Sequence, residues 1–472
     1  MAGQGGFLEN INKKFLLIAG GAFVLFVIAI ILVVTLSSKG KKTPTVSPGT
    51  TLTFWNLTDE KSAFDQVIND FSDAHNIKIE YSKKEPAEYL NEALNEIAAG
   101  RGPDILAVPN DWLPKYHDKL VAMPDGKIAN KKAKKTDLDV YKETFPAVAA
   151  QDNIIADKIF GMPLSIDTLG LYYNSDILSE AWTAYRRAHQ DEDTSALSRI
   201  FSEGPKNWDE FSRAVKIITL SAAALGTADN IDESVDILTL MMLQNGAQMV
   251  SDDLSTAQFH TENHQFGDIA YPGTKALEFY ASFANPKSEN YTWNNSLPEA
   301  VRAFAEGKTA MLIDYQSKEA DIKRINPKLS FSRINVPQIR ETQNPVNYAS
   351  YLTYTVTRAA KNPDLAWDFI IQMTDKNYAN QYRSLTRKPT ALLANIDASD
   401  PIYTAKSWYK PDPDKADEAF KEMIKQVNSG KNAQTAIEGC ASQITTLLGK
   451  LKQWESNQKS EIQNQKAELF LF

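Results

Sequence analysis

The sequence predicts an α/β protein of two lobes carried behind a membrane-spanning helix. Three observations predict it. Residues 15–36 read FLLIAGGAFVLFVIAIILVVTL, twenty-two residues without a charge. Residues 52–108 alternate strand and helix signals in the order β-α-β-α-β. About 420 residues follow the apolar run and its linker, too many for one small core, which predicts two lobes.

The apolar run would rise about 33 Å as a helix, at 1.5 Å per residue, and a bilayer's hydrocarbon core is about 30 Å thick. A cleaved signal peptide is the alternative. Its apolar core is about 7–15 residues and ends in an A-x-A-like site. Here the run is longer and is followed by TLSSKGKK, so the sequence predicts an uncleaved signal-anchor. Lys13 and Lys14 precede it and Lys39, Lys41 and Lys42 follow, so the flanking charges orient it poorly. The short end, residues 1–14, is assigned to the cytoplasm, which makes the chain a single-pass membrane protein with its body outside. Residues 37–50 (SSKGKKTPTVSPGT) read as a flexible stalk.

Cys440 is the only cysteine, which excludes disulfides, a cysteine-rich zinc site and lipid attachment to a cysteine near the N-terminus. The net charge is −8; residues 1–50 carry +4, so the body carries −12. An acidic body argues against nucleic acid, because phosphate binding needs clustered Lys and Arg. One basic run, KIANKKAKK at 127–135, reads as a solvated face or as a contact for anionic lipid or surface polymer.

Residues 52–55 (LTFW) give the first strand signal. Phe64, Val67, Ile68 and Phe71 follow at helical spacing. Ile77, Ile79 and Tyr81 alternate as a strand, and Leu90, Ala93, Leu94 and Ile97 form a second helical face that Gly100, Gly102 and Pro103 end. Residues 104–108 (DILAV) give the third strand. This order implies a parallel sheet with right-handed crossovers. Ligands of open α/β sheets sit outside the carboxyl ends of the strands. The first strand ends in Asn56 and Asp59; the third ends in Asp111 and Trp112. No glycine-rich phosphate loop follows either strand, which argues against a nucleotide.

A second unit begins near Pro163. Residues 169–173 (LGLYY) form a strand, and Asn207 with Glu210 reads as a capping box before Trp208, Phe211, Val215 and Ile218. Pro298 and Gly307 bound a helix, residues 309–313 (TAMLI) form a strand, and Asp314 and Tyr315 follow it. Residues 351–356 give a further strand and Pro363 opens a helix with an inner face of Leu365, Ala366, Phe369 and Ile370. The tail from 416 reads as mostly helical, with Gly430, Gly439 and Gly449 as its breakers.

Catalytic chemistry finds little support. His260 and His264 are spaced i, i+4, but the residues between them lack the H-E-x-x-H order of zinc proteases. No nucleophile elbow supports a Ser-His-Asp triad. Paired carboxylates such as Asp59 and Asp111 leave a glycan-processing enzyme as an alternative.

Six blocks in order, FWNLTDEKSAFDQVINDF, AAGRGPDILAVPNDWLP, IFGMPLSIDTLGLYYNSDIL, PKNWDEFSRAVK, YTWNNSLPEAVRAFAEGKTAMLIDY and NPVNYASYLTYTVTRAAKNPDLAWDFI, with TAKSWYKPDPD after them, carry a resemblance over residues 51–450. The chain resembles the extracellular solute-binding proteins of ABC importers, the sugar-binding family 1 group that includes maltose-binding protein. The resemblance implies a two-lobed periplasmic-binding-protein-like fold that closes on ligand about a hinge. It implies lobe 1 at 51–164 and 346–397 and lobe 2 at 165–345 and 398–450, with 451–472 a helical extension. Matching motifs imply ligand contacts at Asn56, Asp59, Asp111, Trp112 and Asp167 in and beside lobe 1. In lobe 2 they imply Trp293, Asp314, Tyr315 and Trp408, with Tyr348 at a crossing. Trp55 reads as core, and Asp59 also reads as a helix cap.

The expected activity is capture of a carbohydrate and its delivery to ABC permease subunits, by a monomer that is not an enzyme and uses no cofactor or metal. Carboxylates accept bonds from sugar hydroxyls, and aromatic rings cover the C–H faces. A surface adhesin or sensor without transport is the alternative. The chain departs from the family pattern in its anchor, in a long segment at 181–205 expected to add a helix beside the cleft, and in its C-terminal extension.

Overall fold

The computed structural model describes residues 49–191, 193–219, 221–263, 270–339, 345–397 and 399–469, the last sixteen as backbone. The apolar run 15–36 lies outside them. Among the described residues no helix is long and apolar enough to cross a membrane.

The strands in chain order are β1 (Thr51–Asn56), β2 (Lys78–Lys83), β3 (Ile105–Pro109), β4 (Leu120–Val121), β5 (Ile154–Ile155), β6 (Lys158–Ile159), β7 (Met162–Pro163), β8 (Asp167–Asn174), β9 (Ala223–Ala224), β10 (Met311–Tyr315), β11 (Phe331–Asn335), β12 (Asn347–Ser350), β13 (Leu352–Thr357) and β14 (Ala405–Lys406). They build two main sheets. The first runs β2-β1-β3-β13-β4, with β7 also on β13; the second runs β14-β12-β8-β10-β9, with β11 also on β8. In the first sheet β1 is parallel to β2 and β3, as the β-α-β-α-β spacing requires, and β13 returns antiparallel to β3.

Each sheet has its own core. In the first, Phe54 of β1 meets Phe64, Tyr81, Tyr354 and Phe369 edge-on, with centroids 5.3, 5.1, 5.8 and 6.0 Å away. Edge-to-face pairs of this kind add about 0.5–1.5 kcal/mol each beyond area burial. The helix Asp65–His75 buries Val67, Ile68 and Phe71 against this sheet, the face its spacing predicts. On the other side, the helix Pro86–Ala98 buries Tyr89, Ala93 and Ile97, with Leu90 and Leu94 only partly covered. Tyr89 takes the deep position because its phenol donates to the Ala107 carbonyl at 2.6 Å, so its polar tip is satisfied inside.

The second core is larger. It joins Leu169, Leu171 and Tyr172 of β8 to helices Trp208–Ile218, Ser234–Gln244 and Pro413–Asn428. Asn207 caps the first of these by accepting from the Glu210 N–H at 2.9 Å. The expected reciprocal half is absent: Glu210 turns to the Lys206 N–H and to Arg199. In the tail, Gly430 at φ +98 separates Pro413–Asn428 from Ala433–Leu469, while Gly439 and Gly449 sit inside the latter. A left-handed turn suits glycine and ends a helix. The 181–205 segment lies within helices Ser175–Ala188 and Ser195–Glu203, where Trp182 stacks on Phe201 at 5.5 Å. They pack on each other and on the second core.

The chain crosses between the sheets three times. It leaves β7 and enters β8 through 164–166, leaves β12 and enters β13 at Tyr351, and passes back before β14. The strand Asn347–Ser350 pairs with Asp167 and Thr168 of β8, so it hydrogen-bonds in the second sheet, past the boundary expected at 346. Just before β7 the chain is tight: a Cβ on Gly161 would lie 2.2 Å from the Thr353 hydroxyl.

Candidate functional site

A cleft of about 230 Å³ opens where the strand tips of the two sheets meet the crossings. Thr58, Asp59 and Pro109 come from the tips of β1 and β3, as strands of an open sheet deliver their loops to one edge. Ser165, Asp167, Ser350 and Tyr351 come from the crossings, and Ser317 follows β10. Tyr354, Tyr382 and Lys388 complete the first-lobe wall.

Asp59 is the buried polar centre of that wall. Its carboxylate lies 2.7 Å from the Lys388 ammonium and accepts from the Tyr382 phenol at 2.9 Å. It does not cap the following turn, whose N-cap residue is Glu60 without a side-chain bond. The Tyr382 phenol is held well above its ordinary pKa by burial first, then by Tyr354 and Asp59, so it stays a donor. Asp167 faces the cleft from the second lobe. Its carboxylate takes the N–H groups of Thr168, Gln316 and Ser317, each at 2.9 Å, and so fixes the turn after β10. Burial raises its pKa in spite of those donors.

A second polar cluster stands at the contact between the lobes. Lys410, almost wholly buried, lies 3.1 Å from Asp111, 2.8 Å from Asp417 and 3.9 Å from Asp236. Asp236 accepts from the Tyr315 phenol at 2.6 Å. Burial pushes Asp236 up to about 6 against the attraction of Lys410, with Asp417 adding to the rise. Asp111 is raised in the same direction by burial. Tyr348 is buried beside these charges, and burial raises its phenol as well. Trp408 packs on Phe420 at 5.7 Å, and its indole N–H has no acceptor among the described residues. Nearby, Asp152 binds Asn110, Tyr351 and Ser407, and burial pushes it up to about 6.

The ten residues expected at the site therefore fall in different places. Asp59 and Asp167 line the cleft. Asp111, Tyr315 and Tyr348 belong to the Lys410 cluster, and Trp408 packs on Phe420 in the second core. Asn56 is fully buried beneath the β1 tip, its side-chain oxygen accepting from the Leu57 N–H at 2.8 Å. Asp314 and Tyr315 are neighbours on a strand, so they point to opposite faces. Asp314 is buried and pushed up to about 7, by burial above all, with Lys318 opposing. Trp293 is wholly buried in the second core and donates to Asn230 at 3.2 Å. Trp112 is half-buried behind the first sheet, edge-on to Tyr116 at 6.5 Å. Asp167 thus lines the cleft, Asp111 stands in the Lys410 cluster, and Asp314 is buried beside Lys318. Among the described residues, none of the 181–205 segment lines this cleft. The sequence reading missed Tyr382, Lys388 and Lys410; Lys410 sits in the quoted block TAKSWYKPDPD, where a lysine among prolines and aspartates was the available signal.

His260 is half-buried and burial lowers its pKa; His264 lies outside the described residues. Among the described residues no group of three His, Cys, Asp or Glu side chains could hold a metal.

Comparison with known proteins agrees with this architecture. The galactooligosaccharide-binding protein of Bacillus subtilis is 21% identical over 361 residues, 75% of this chain and 76% of that protein. The structure of the cyclic α-maltosyl-1,6-maltose binding protein from Arthrobacter globiformis superposes with a TM-score of 0.66 at 18% identity, covering 85% of this chain and 100% of that one. The sugar-binding protein MalE from Xanthomonas citri superposes at 0.65 and 18% identity, covering 87% and 100%. At these identities the structures establish the shared fold. Residues 55–379, which run from the tip of β1 through β8, β12 and β13, match the pattern of one family, and the chain belongs to the bacterial extracellular solute-binding proteins.

Proposed function

We propose that this protein captures a small carbohydrate between its lobes and delivers it to the permease of an ABC importer, while residues 15–36 hold it at the membrane. The cleft at the crossings carries the reading. It is lined by hydroxyls, carboxylates, one ammonium and three phenols. Carboxylate and phenol groups match the alternating polar and apolar surface of a sugar ring. The Bacillus relative is named for galactooligosaccharide and the Arthrobacter structure for a cyclic maltose derivative.

In this reading lobe 1 comprises 51–164 and 346–397, lobe 2 comprises 165–345 and 398–450, and 451–472 is an extension, with the strand Asn347–Ser350 reaching over to pair in the second sheet. Asp59 and Asp167, with Tyr382 and Lys388, contact the ligand from the two sides. Closure about the three crossings supplies the signal read by the permease, and no covalent step is involved. The protein acts as a monomer. Calorimetry of the purified chain against a panel of mono- and oligosaccharides, amino acids and metal ions tests the reading. Saturable binding of at least one saccharide is expected. Binding only of an amino acid or a metal would overturn the substrate class.

A further inference from the structure

We propose that the tip of the hairpin at 130–135 is a docking surface for anionic lipid, which seats lobe 1 on the bilayer. The proposal rests on the reading of 15–36 as the anchor.

The tip is a built structure. Asn130 and Lys135 exchange backbone hydrogen bonds of 3.1 and 3.0 Å, and the Asn130 side chain accepts from the Ala133 N–H at 3.1 Å. Lys134 takes a left-handed backbone at φ +55, a position that favours glycine or asparagine. The lysines at its base are neutralised. Lys127 lies 2.7 Å from Asp368 and 3.1 Å from Asp364, and Lys135 lies 2.6 Å from Glu143. Lys131, Lys132 and Lys134 are exposed and make no ion pair among the described residues. Three unneutralised ammoniums stand together on a body whose charge is −12.

The tip's location selects its partner. β13 begins beside Pro109 at the cleft and descends to Thr357, which donates to the Pro103 carbonyl at the far end of the sheet. The helix Pro363–Met373 starts there, and Lys127 grips Asp364 in its first turn. β1 starts at the same end: the Asp104 carboxylate binds the Thr53 N–H at 2.8 Å and the Lys361 N–H at 3.2 Å. The stalk at 37–50 therefore joins the body at the pole where the hairpin is rooted. A random-coil linker of fourteen residues would span about 20 Å, so the reading of 37–50 as a stalk keeps that pole near the bilayer. An anionic headgroup layer attracts lysines held near it, adding about fivefold to affinity for each. The cleft lies at the opposite end of lobe 1, so this pose leaves it open to solvent for capture.

The test places the full chain in vesicles of phosphatidylcholine alone and with added phosphatidylglycerol. Lysine methylation is then read site by site by mass spectrometry. Labelling of Lys131, Lys132 and Lys134 should fall at least fivefold on the anionic vesicles alone and recover at high salt, with Lys450 unchanged. Equal labelling on both vesicles overturns the proposal. Protection seen only on native membranes, and lost once their proteins are shaved by protease, assigns the tip to an acidic protein and overturns it too. Flotation with phosphatidylcholine vesicles at alkaline pH scores the anchor separately, so its failure is told apart from that of the hairpin.

Discussion

The ammonium of Lys410 lies 3.1 Å from the carboxylate of Asp111, and this pair joins the loop after β3 in the first lobe to the segment before helix Pro413–Asn428 in the second. The Lys115–Asp412 pair, at 2.8 Å, runs beside it. Burial opposes the charge of Lys410, but Tyr348 and then Asp111, Asp417 and Asp236 outweigh it and hold its pKa well above the ordinary lysine value.

Removing Lys410 leaves Asp111, Asp236 and Asp417 facing one another without a counter-charge. Breaking a buried pair in this way costs about 3–5 kcal/mol. Lys410→Met should therefore lower the melting temperature strongly. Adding Asp111→Leu should recover part of the loss, with a coupling of about 0.5–3 kcal/mol in a double-mutant cycle. Strictly additive effects in urea unfolding would mean that the pair does not tie the lobes.

The pH dependence follows from the same region. Burial, above all, raises Asp236 and Asp152 to about 6 and Asp314 to about 7. The folded protein thus holds these protons more tightly than the unfolded chain does. Their contribution to stability is complete below about pH 4, the ordinary carboxylate range, and is lost as pH rises through 6 to 7. Each unit of upward shift corresponds to about 1.4 kcal/mol. The melting temperature should be higher by some degrees at pH 5 than at pH 7.5. Asp236→Asn should flatten that difference; a variant with the wild-type pH profile would remove Asp236 from the account.

The first lobe was legible because its signals are local. Phe64, Val67, Ile68 and Phe71 recur at helical spacing and are buried as the period requires. Asp59 could be placed at the sheet's ligand edge because strand tips of an α/β sheet converge there, whereas Asp167 was named by the family resemblance. Lys388 and Tyr382 could not, since they are more than 320 residues from Asp59 and only the third dimension brings them to it. Asp314 shows the reverse limit. An acidic residue at a strand end carries no mark of the face it will point to, and a shift of one residue changes the face.

The cleft wall makes a direct prediction. Asp59→Asn keeps the shape of the side chain and a partner for Tyr382, and removes the charge that holds Lys388 at 2.7 Å. The affinity for the best saccharide should fall at least about tenfold, or about 1.4 kcal/mol, by calorimetry. Tyr382→Phe deletes one hydrogen bond to the same carboxylate and should cost about 1 kcal/mol of stability. Unchanged affinity in both variants would place the ligand elsewhere.

Trp293 separates packing from recognition. Its indole is wholly buried in the second core, and its N–H donates to Asn230, whose amide in turn binds the carbonyls of Asn294 and Leu297 at 3.0 Å. Trp293→Ala opens a large cavity there and should cost about 3–5 kcal/mol. Trp293→Phe keeps most of the volume and loses the hydrogen bond, so a smaller loss of about 1–2 kcal/mol is expected. In both variants the folded fraction should bind saccharide as tightly as the parent, because the ring lines the core and not the cleft. A Trp293→Phe protein with the parent's melting temperature and a tenfold weaker affinity would mean that the indole reaches the ligand, and the site would then have to extend into the second lobe beyond Ser317.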